Sequence, residues 1–289
     1  MPTKPTSHRY IRENIARYDF HFKKELGQNF LTDDNIIRNI IAASNITAED
    51  VVLEIGPGMG SLTYFLLESC KRLAVVEKDR ILVKILQDNF CDISQLTIIN
   101  DDILTFDFDR LADIFQTKQK IKVISNLPYS ITSAAIMRLL THSSAFDTLT
   151  LMMQKEVAHR LLALPSTKDY GSLTLAVGYY AECSALFQVP SQVFFPRPTV
   201  DSTVVLLKLR TKPPVETIDE ASMFALIRAA FSTRRKTLVN ALSNQLQLDK
   251  EAIAGALNAL NIDTRIRGEA LTLAQFAALN DLLYDKIKK

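Results

Sequence analysis

An apolar stretch that ends in a glycine-rich turn constrains the fold of this chain more than any other feature of its sequence. Residues 51–55 (VVLEI) have the composition of a buried strand, and residues 56–60 (GPGMG) follow directly. A helix is predicted to begin near Ser61. A strand, a glycine turn and a helix in this order begin a Rossmann-like βαβ unit. We therefore predict an α/β fold of the Rossmann-like class.

The spacing of the glycines limits the ligands that this turn can bind. Glycines let the backbone approach a ligand closely, as Gly56 and Gly58 are placed to do. A dinucleotide-binding G-x-G-x-x-G turn would have its third glycine at position 61, whereas here the last glycine is Gly60. The turn therefore fits a ligand with a carboxylate or an adenosine at least as well as a pyrophosphate.

An acidic residue ends the second predicted strand. Residues 73–76 (LAVV) run into Glu77, about 20 residues after the glycine turn, where an acid commonly binds ribose hydroxyls. A solvated surface charge is the alternative. An acid at the carboxyl end of a buried strand has little structural reason to be there, so ligand contact is favoured.

The third predicted strand also ends in acidic residues. Residues 96–99 (LTII) lead into Asp101, Asp102 and Ile103. Asp102 can accept the N6 hydrogens of an adenine, and the backbone amide of Ile103 can donate to a ring nitrogen. Asp101 is expected to face solvent, and a turn or capping role is the alternative for Asp102.

The fourth strand, residues 121–125 (IKVIS), is followed by Asn126, Leu127, Pro128 and Tyr129. Pro128 cannot continue a strand ladder, so the Leu127 carbonyl is expected to be free. The Asn126 side-chain oxygen and this carbonyl can each accept one hydrogen of an exocyclic amine, while the Tyr129 ring lies against the flat base. Taken alone, the motif would better suit a strand-end turn with a buried tyrosine.

The order of these strand ends is more specific than any one of them. Open α/β sheets bind ligands outside the carboxyl ends of their strands, where the turn glycines, Glu77, Asp102 and Asn126 are predicted to meet. Together they indicate a methyltransferase that uses S-adenosylmethionine (SAM).

Composition excludes several other classes. The chain has 289 residues, 47% of them hydrophobic, and has neither an apolar run long enough to span a bilayer nor a secretory apolar segment near its start. A cytoplasmic monomer without a membrane partner is expected. Cys70, Cys91 and Cys183 form no CxxC pair, so we expect core thiols and no metal site. A net charge of +2 restricts polyanion binding to local patches.

The chain is predicted to have three parts. Residues 1–25 form a basic, loose arm, residues 26–210 form the Rossmann-like domain, and residues 211–289 form a smaller helical domain. The Rossmann-like part begins with residues 26–31 (LGQNFL), followed by a helix that Thr32, with Asp33 and Asp34, can cap. A strand over residues 202–207 completes its sheet.

The clearest feature of the helical part is a basic cluster of Arg234, Arg235 and Lys236. Such a run is usually a solvated helix face. Beside an RNA-directed site the same residues become phosphate contacts, and we predict RNA binding there.

These motifs resemble those of the ribosomal RNA small-subunit adenine N6,N6-dimethyltransferases of the KsgA type. The resemblance covers nearly the whole chain. It includes residues 154–157 (QKEV), 169–171 (DYG) and 194–202 (FFPRPTVDS), although Arg197 and Thr199 depart from the usual pattern.

The resemblance implies a role for each matching position. Asn29 and Leu31 would close over SAM, Gly56 would line its methionine end, Glu77 would hold its ribose and Asp102 its adenine. It further implies that Asn126 bridges cofactor and target, and that Tyr129 and Phe194 stack on an adenine extruded from the RNA.

The implied substrate is N6 of adjacent adenines near the 3′ end of small-subunit ribosomal RNA, in an immature ribosomal subunit. The N6 lone pair is delocalised into the ring, so the reaction needs positioning rather than a strong base. No histidine lies in a motif, which agrees with this chemistry.

Three other functions remain open at this point. A related antibiotic-resistance methyltransferase acts on a large-subunit adenine, but Leu127 and the basic cluster favour the small subunit. A non-catalytic RNA-binding or assembly factor could keep the fold, although the intact Glu77 and Asn126 argue against it. An NAD-dependent oxidoreductase is disfavoured by the glycine spacing.

Overall fold

The computed structural model describes residues 4–23 and 26–287, which form two compact units. The first comprises the chain up to Ala158 together with Glu182–Leu209. The second comprises His159–Ala181 and the chain from Arg210 onwards.

The first unit is built on a seven-stranded sheet with the order β4-β3-β2-β5-β6-β9-β7, while β1 and β8 pair with each other. Strands β2 to β6 pair in parallel and β9 runs antiparallel to β6, which confirms the predicted α/β fold. The strands are β1 (Phe30–Leu31), β2 (Val51–Ile55), β3 (Arg72–Glu77), β4 (Leu96–Asn100), β5 (Ile121–Asn126), β6 (Phe146–Gln154), β7 (Ala181–Val189), β8 (Phe194–Phe195) and β9 (Ser202–Leu209).

Burial explains why β2 and β3 are continuous apolar runs. Every residue of β2 is buried, as is every residue of β3 after Arg72, because helices cover both faces of a parallel sheet. The helices that precede β7 are α1 (His8–Arg17), α2 (Asp34–Ala43), α3 (Ser61–Leu66), α4 (Arg80–Asn89), α5 (Arg110–Phe115), α6 (Thr132–Thr141), α7 (Lys155–Leu161) and α8 (Ser172–Tyr180).

The N-terminal segment differs from the loose arm that the sequence predicts. Within residues 4–23, α1 buries Tyr10 and Ile11, and Phe20 packs into the same cluster. The Tyr10 hydroxyl donates to the carbonyl of Met59 in the glycine turn at 3.2 Å. These apolar residues hold the segment in a core cluster. The apolar pattern is hard to recognise in the sequence because the segment also contains many basic residues. The other predicted arm residues, 1–3, 24 and 25, lie outside the described residues.

The second unit is helical and includes a segment that the predicted boundary at residue 211 leaves out. Its remaining helices are α9 (Glu220–Phe231), α10 (Leu238–Leu246), α11 (Lys250–Ala259) and α12 (Leu273–Ile287). Helix α8 belongs here because Tyr179 and Tyr180 pack against Phe224 of α9 and the Tyr170 hydroxyl donates to Leu271. Two separated pieces of chain therefore share one core.

The cysteines are not all core thiols as expected. Cys70 is buried, Cys183 is half-buried and Cys91 is exposed. Among the described residues, no cluster of His, Cys, Asp or Glu could hold a metal ion. None of the described helices combines the length and apolar character needed to cross a bilayer.

Candidate cofactor and amine-binding site

A pocket opens at the carboxyl ends of β2, β3, β4 and β5, with an empty volume of about 1030 Å³ that includes its open mouth. It brings together every predicted cofactor-binding residue and three of the four predicted catalytic residues. These lining residues are Asn29, Leu31, Gly56, Gly58, Glu77, Asp102, Ile103, Asn126, Leu127 and Tyr129.

The glycine turn packs directly against the Asn126 turn. Gly56 has a φ of +63°, and a Cβ added there would lie 3.1 Å from Cγ of Pro128. A larger residue would be strained and would push the two turns apart. The absence of a side chain at Gly56 therefore allows the glycine turn, which is predicted to bind the cofactor, to pack against the Asn126 turn, which is predicted to bind the target amine.

Glu77 is buried at the end of β3, and both of its carboxylate oxygens accept backbone hydrogen bonds. The amide of Gly58 donates to Oε2 at 3.2 Å and the amide of Asp79 donates to Oε1 at 2.9 Å. Burial raises the pKa of Glu77 to about 7, although these hydrogen bonds oppose the shift. The carboxyl group is thus held rigidly and titrates near neutral pH.

Glu54 is a pocket residue that sequence reasoning did not identify as functional. It lies within β2, is 2% exposed and accepts a hydrogen bond from Thr63 Oγ1 at 2.7 Å. Burial raises the pKa of Glu54 to about 8, and the nearby Glu77 carboxylate adds to the rise. Its signal in the sequence was an acid in the middle of an otherwise apolar strand.

Asp102 and Ile103 form the end of the pocket that is predicted to bind adenine. Asp102 is ion-paired with Lys78 at 2.8 Å and accepts the Leu104 amide at 3.0 Å. Burial disfavours the Asp102 carboxylate, but these hydrogen bonds outweigh that effect and hold its pKa below the usual value. For the Ile103 amide, no acceptor is recorded in the described part of the chain, so this donor is available to a ligand. Asp101, predicted to face solvent, also lines the pocket.

Asn126 and Leu127 present two hydrogen-bond acceptors. Asn126 Nδ2 donates to the carbonyl of Asn29 at 3.0 Å, so the amide oxygen is on the other side of the group. The Leu127 amide donates to Met152 at 3.0 Å, which extends the ladder between β5 and β6 by one residue. Over residues 4–23 and 26–287, no donor to Asn126 Oδ1 or to the Leu127 carbonyl is recorded. Both acceptors are free, as the Pro128 break predicts for Leu127.

The two predicted stacking aromatics lie in different environments. Tyr129 lines the pocket and its hydroxyl makes a 2.7 Å hydrogen bond with Ser202 Oγ. Phe194 is 3% exposed and packs in the core beside Leu31, its register partner across β1 and β8. Tyr129 therefore lines the pocket whereas Phe194 does not, and stacking by Phe194 stays a prediction.

The basic cluster lies in the second unit, in the turn between α9 and α10 rather than on a helix face. Arg234, Arg235 and Lys236 are all exposed, and Arg234 is held by a hydrogen bond to the Lys168 carbonyl at 3.0 Å. The Leu238 amide donates to Ile266 at 2.7 Å, which brings the 265–267 segment beside this turn. Such exposed cations suit a polyanion.

Comparison with known proteins places most of the chain in one family. Residues 19–281 match the family model described as ribosomal RNA adenine dimethylase. The chain is 45% identical, over 96% of both sequences, to the ribosomal RNA small subunit methyltransferase A of Lachnoclostridium phytofermentans. It is 46% identical, over 94% of both, to the protein of the same name from Geobacillus thermodenitrificans.

Solved structures agree with the fold. A dimethyladenosine transferase from Plasmodium falciparum matches 90% of this chain and 98% of its own, with a TM-score of 0.72 and 26% identity. The 23S rRNA methyltransferase ErmE matches 88% of this chain and 99% of its own, with a TM-score of 0.62. At 23% identity, the second likeness concerns the fold alone.

Proposed function

The chain belongs to the ribosomal RNA adenine dimethylase family, and from this membership we propose that it transfers two methyl groups from SAM to N6 of each of two adjacent adenines near the 3′ end of small-subunit ribosomal RNA. The observation that carries the proposal is the pair of free acceptors at Asn126 and Leu127, in a pocket that also contains the buried Glu77.

The residues of the pocket fit SAM. Glu77 offers a fixed carboxylate for two ribose hydroxyls, and the Ile103 amide offers a free donor for an adenine ring nitrogen. Asn29, Leu31, Gly56, Gly58 and Asp102 would line the remainder. When bound, SAM supplies an electrophilic methyl group on a sulfonium centre.

The amine side of the pocket positions the nucleophile. Asn126 Oδ1 and the Leu127 carbonyl accept the two hydrogens of the target N6, which turns the nitrogen lone pair away from the ring and towards the cofactor side. Tyr129 lies against the base and replaces the stacking lost on extrusion from the RNA. After transfer the extra proton leaves to water, so these residues act through geometry and fixed dipoles.

The relatives named for the small subunit support the choice of RNA. Sequence identity of 45% over nearly the full length of both chains is the reason to prefer small-subunit RNA to large-subunit RNA. The exposed turn at Arg234, Arg235 and Lys236 would contact RNA phosphates. We further propose that the protein acts as a cytoplasmic monomer on an immature ribosomal subunit during ribosome biogenesis.

Labelled SAM would test this function directly. The protein is incubated with unmethylated small subunits or with large subunits, and the labelled base is mapped by primer extension or mass spectrometry. Label on N6 of two adjacent adenines near the small-subunit 3′ end is expected. Label confined to large subunits would contradict the RNA assignment, and no label on either would favour a non-catalytic assembly factor.

A further inference from the structure

The orientation of the Asn126 side chain depends on a distant part of the sequence. Its Nδ2 donates to the backbone carbonyl of Asn29, which is 97 residues earlier in the chain. A carbonyl oxygen can only accept, so the atom that faces it must be the amide nitrogen and not Oδ1. Through this bond Asn29 determines which way the acceptor of Asn126 points.

The segment that carries this carbonyl packs tightly on the Asn126 turn. Gly27 has a φ of +59°, and a Cβ added there would lie 3.0 Å from the backbone nitrogen of Tyr129 and 3.1 Å from that of Ser130. The Asn29 side chain donates back to the Gly27 carbonyl at 3.1 Å, which stiffens the segment. Residues 27–29 therefore have little freedom to shift away from the turn.

The same segment is attached to the cofactor side of the pocket. Gln28 Nε2 donates to Asp79 Oδ2 at 3.3 Å, and Lys23 forms an ion pair with the same oxygen at 2.9 Å. The Asp79 amide in turn donates to Glu77 Oε1 at 2.9 Å. A continuous set of contacts thus leads from the acid proposed to hold the ribose to the amide proposed to hold the target amine.

We propose that residues 27–29 are a positioning element for the reaction, with the Asn29 carbonyl holding the Asn126 amide so that its oxygen faces the target N6. This inference rests on the proposed methyl transfer and adds a role for the backbone of the N-terminal segment. Gln28 also ties this segment to Asp79, whose amide donates to Glu77.

The substitution Asn126→Asp distinguishes the role of residue 126 as a hydrogen-bond acceptor for N6 from its positioning by the Asn29 carbonyl. A carboxylate accepts N6 hydrogens at least as well as an amide, but it has no hydrogen for the Asn29 carbonyl and is repelled by it. We expect kcat to fall by about 100-fold or more, since a misplacement of about 1 Å can cost that much. Turnover at the parent rate would overturn the proposal.

The substitution Gly27→Ala perturbs the segment and leaves residue 126 unchanged. Its methyl group would lie 3.0 Å and 3.1 Å from the backbone nitrogens of Tyr129 and Ser130, and the positive φ disfavours alanine, so the segment and the turn must shift relative to each other. We expect kcat at saturating SAM and subunits to fall by about tenfold, while the Kd for SAM changes by less than about threefold. Gly255→Ala is the matched control, because a Cβ there meets nothing within 4 Å and helix α11 favours alanine.

The double variant Gly27→Ala/Asn126→Ala distinguishes positioning from a general loss of structure. If the segment acts through Asn126, the double variant is no slower than Asn126→Ala alone, whereas independent effects would multiply. Melting temperatures show whether each variant is folded, and if Gly27→Ala does not fold, Asn126→Asp decides.

These experiments distinguish a failure of the positioning role from a failure of the proposed function. If the parent transfers methyl groups to small subunits but Asn126→Asp or folded Gly27→Ala does so equally fast, the positioning role is wrong and the function stands. If the parent transfers none to any subunit, the function fails and the inference fails with it.

Discussion

The strand-end pocket is proposed to perform methyl transfer, and the basic turn is proposed to bind RNA. The two regions use different physical interactions. In the pocket, Glu77 is 7% exposed and the Asn126 amide is fixed by a neighbouring carbonyl. In the turn, Arg235 and Lys236 are exposed, and no acidic partner is recorded for either among the described residues. Buried, fixed groups act through geometry and shifted pKa values, whereas exposed cations act through charge that salt screens.

The largest expected effect is in the pocket. Asn126→Ala removes one of the two acceptors for N6 and should lower kcat by about 10²–10³-fold, as the loss of a preorganised hydrogen-bonding group commonly does. The Kd for SAM should change by no more than about threefold. Single-turnover methylation and calorimetry measure the two quantities, and unchanged turnover would remove Asn126 from the mechanism.

The pH dependence of cofactor binding tests the buried acid. The pKa of Glu77 is raised to about 7, so in the free protein the carboxyl group is increasingly protonated as the pH falls through 7. Ribose hydroxyls donate to the carboxylate form, so SAM affinity should fall by up to about tenfold per pH unit below 7. Glu77→Gln should bind SAM weakly with a flat profile between pH 5 and 7, below the pKa of Glu54, and a parent profile equally flat over this range would contradict this role.

The basic turn should respond to salt instead. Arg235→Glu is expected to weaken RNA binding by roughly tenfold at low salt. It should also reduce the slope of log affinity against log salt concentration by an amount that corresponds to about one or two phosphate contacts. Arg265→Glu is the control, since Arg265 is already paired with Asp263 at 2.8 Å and should contribute less. An unaltered affinity and salt slope for Arg235→Glu in filter binding would make the turn an ordinary solvated surface.

The smallest effect is expected where a polar group is buried without a partner. Thr203 is 4% exposed and its hydroxyl has no hydrogen bond within the described chain. Thr203→Val should leave methyl transfer unchanged and raise the free energy of unfolding by up to about 1 kcal/mol, because an unsatisfied hydroxyl is removed. Chemical denaturation measures the free energy of unfolding. A clear loss of turnover would show that the buried Thr203 hydroxyl matters for function.

Much of the site could be predicted because it depends on local signals. The apolar runs before Glu77, Asp102 and Asn126 identify strands, and parallel strands bring their carboxyl ends to one edge of a sheet. The position of Glu54 in the pocket was not predicted because it depends on tertiary packing. Phe194 is predicted from its motif to stack on the target base; its ring lies in the core beside Leu31, and the stacking role stays a prediction.

The sequence by itself determined the fold class, the strand-end residues and the break at Pro128, because strand propensity and backbone chemistry are local. Only the tertiary structure decided that the arm packs through Tyr10, that α8 joins the C-terminal unit, and that the Asn29 carbonyl meets the Asn126 amide. These contacts join residues far apart in the chain, and their partners are set by packing and by the need to satisfy buried polar groups.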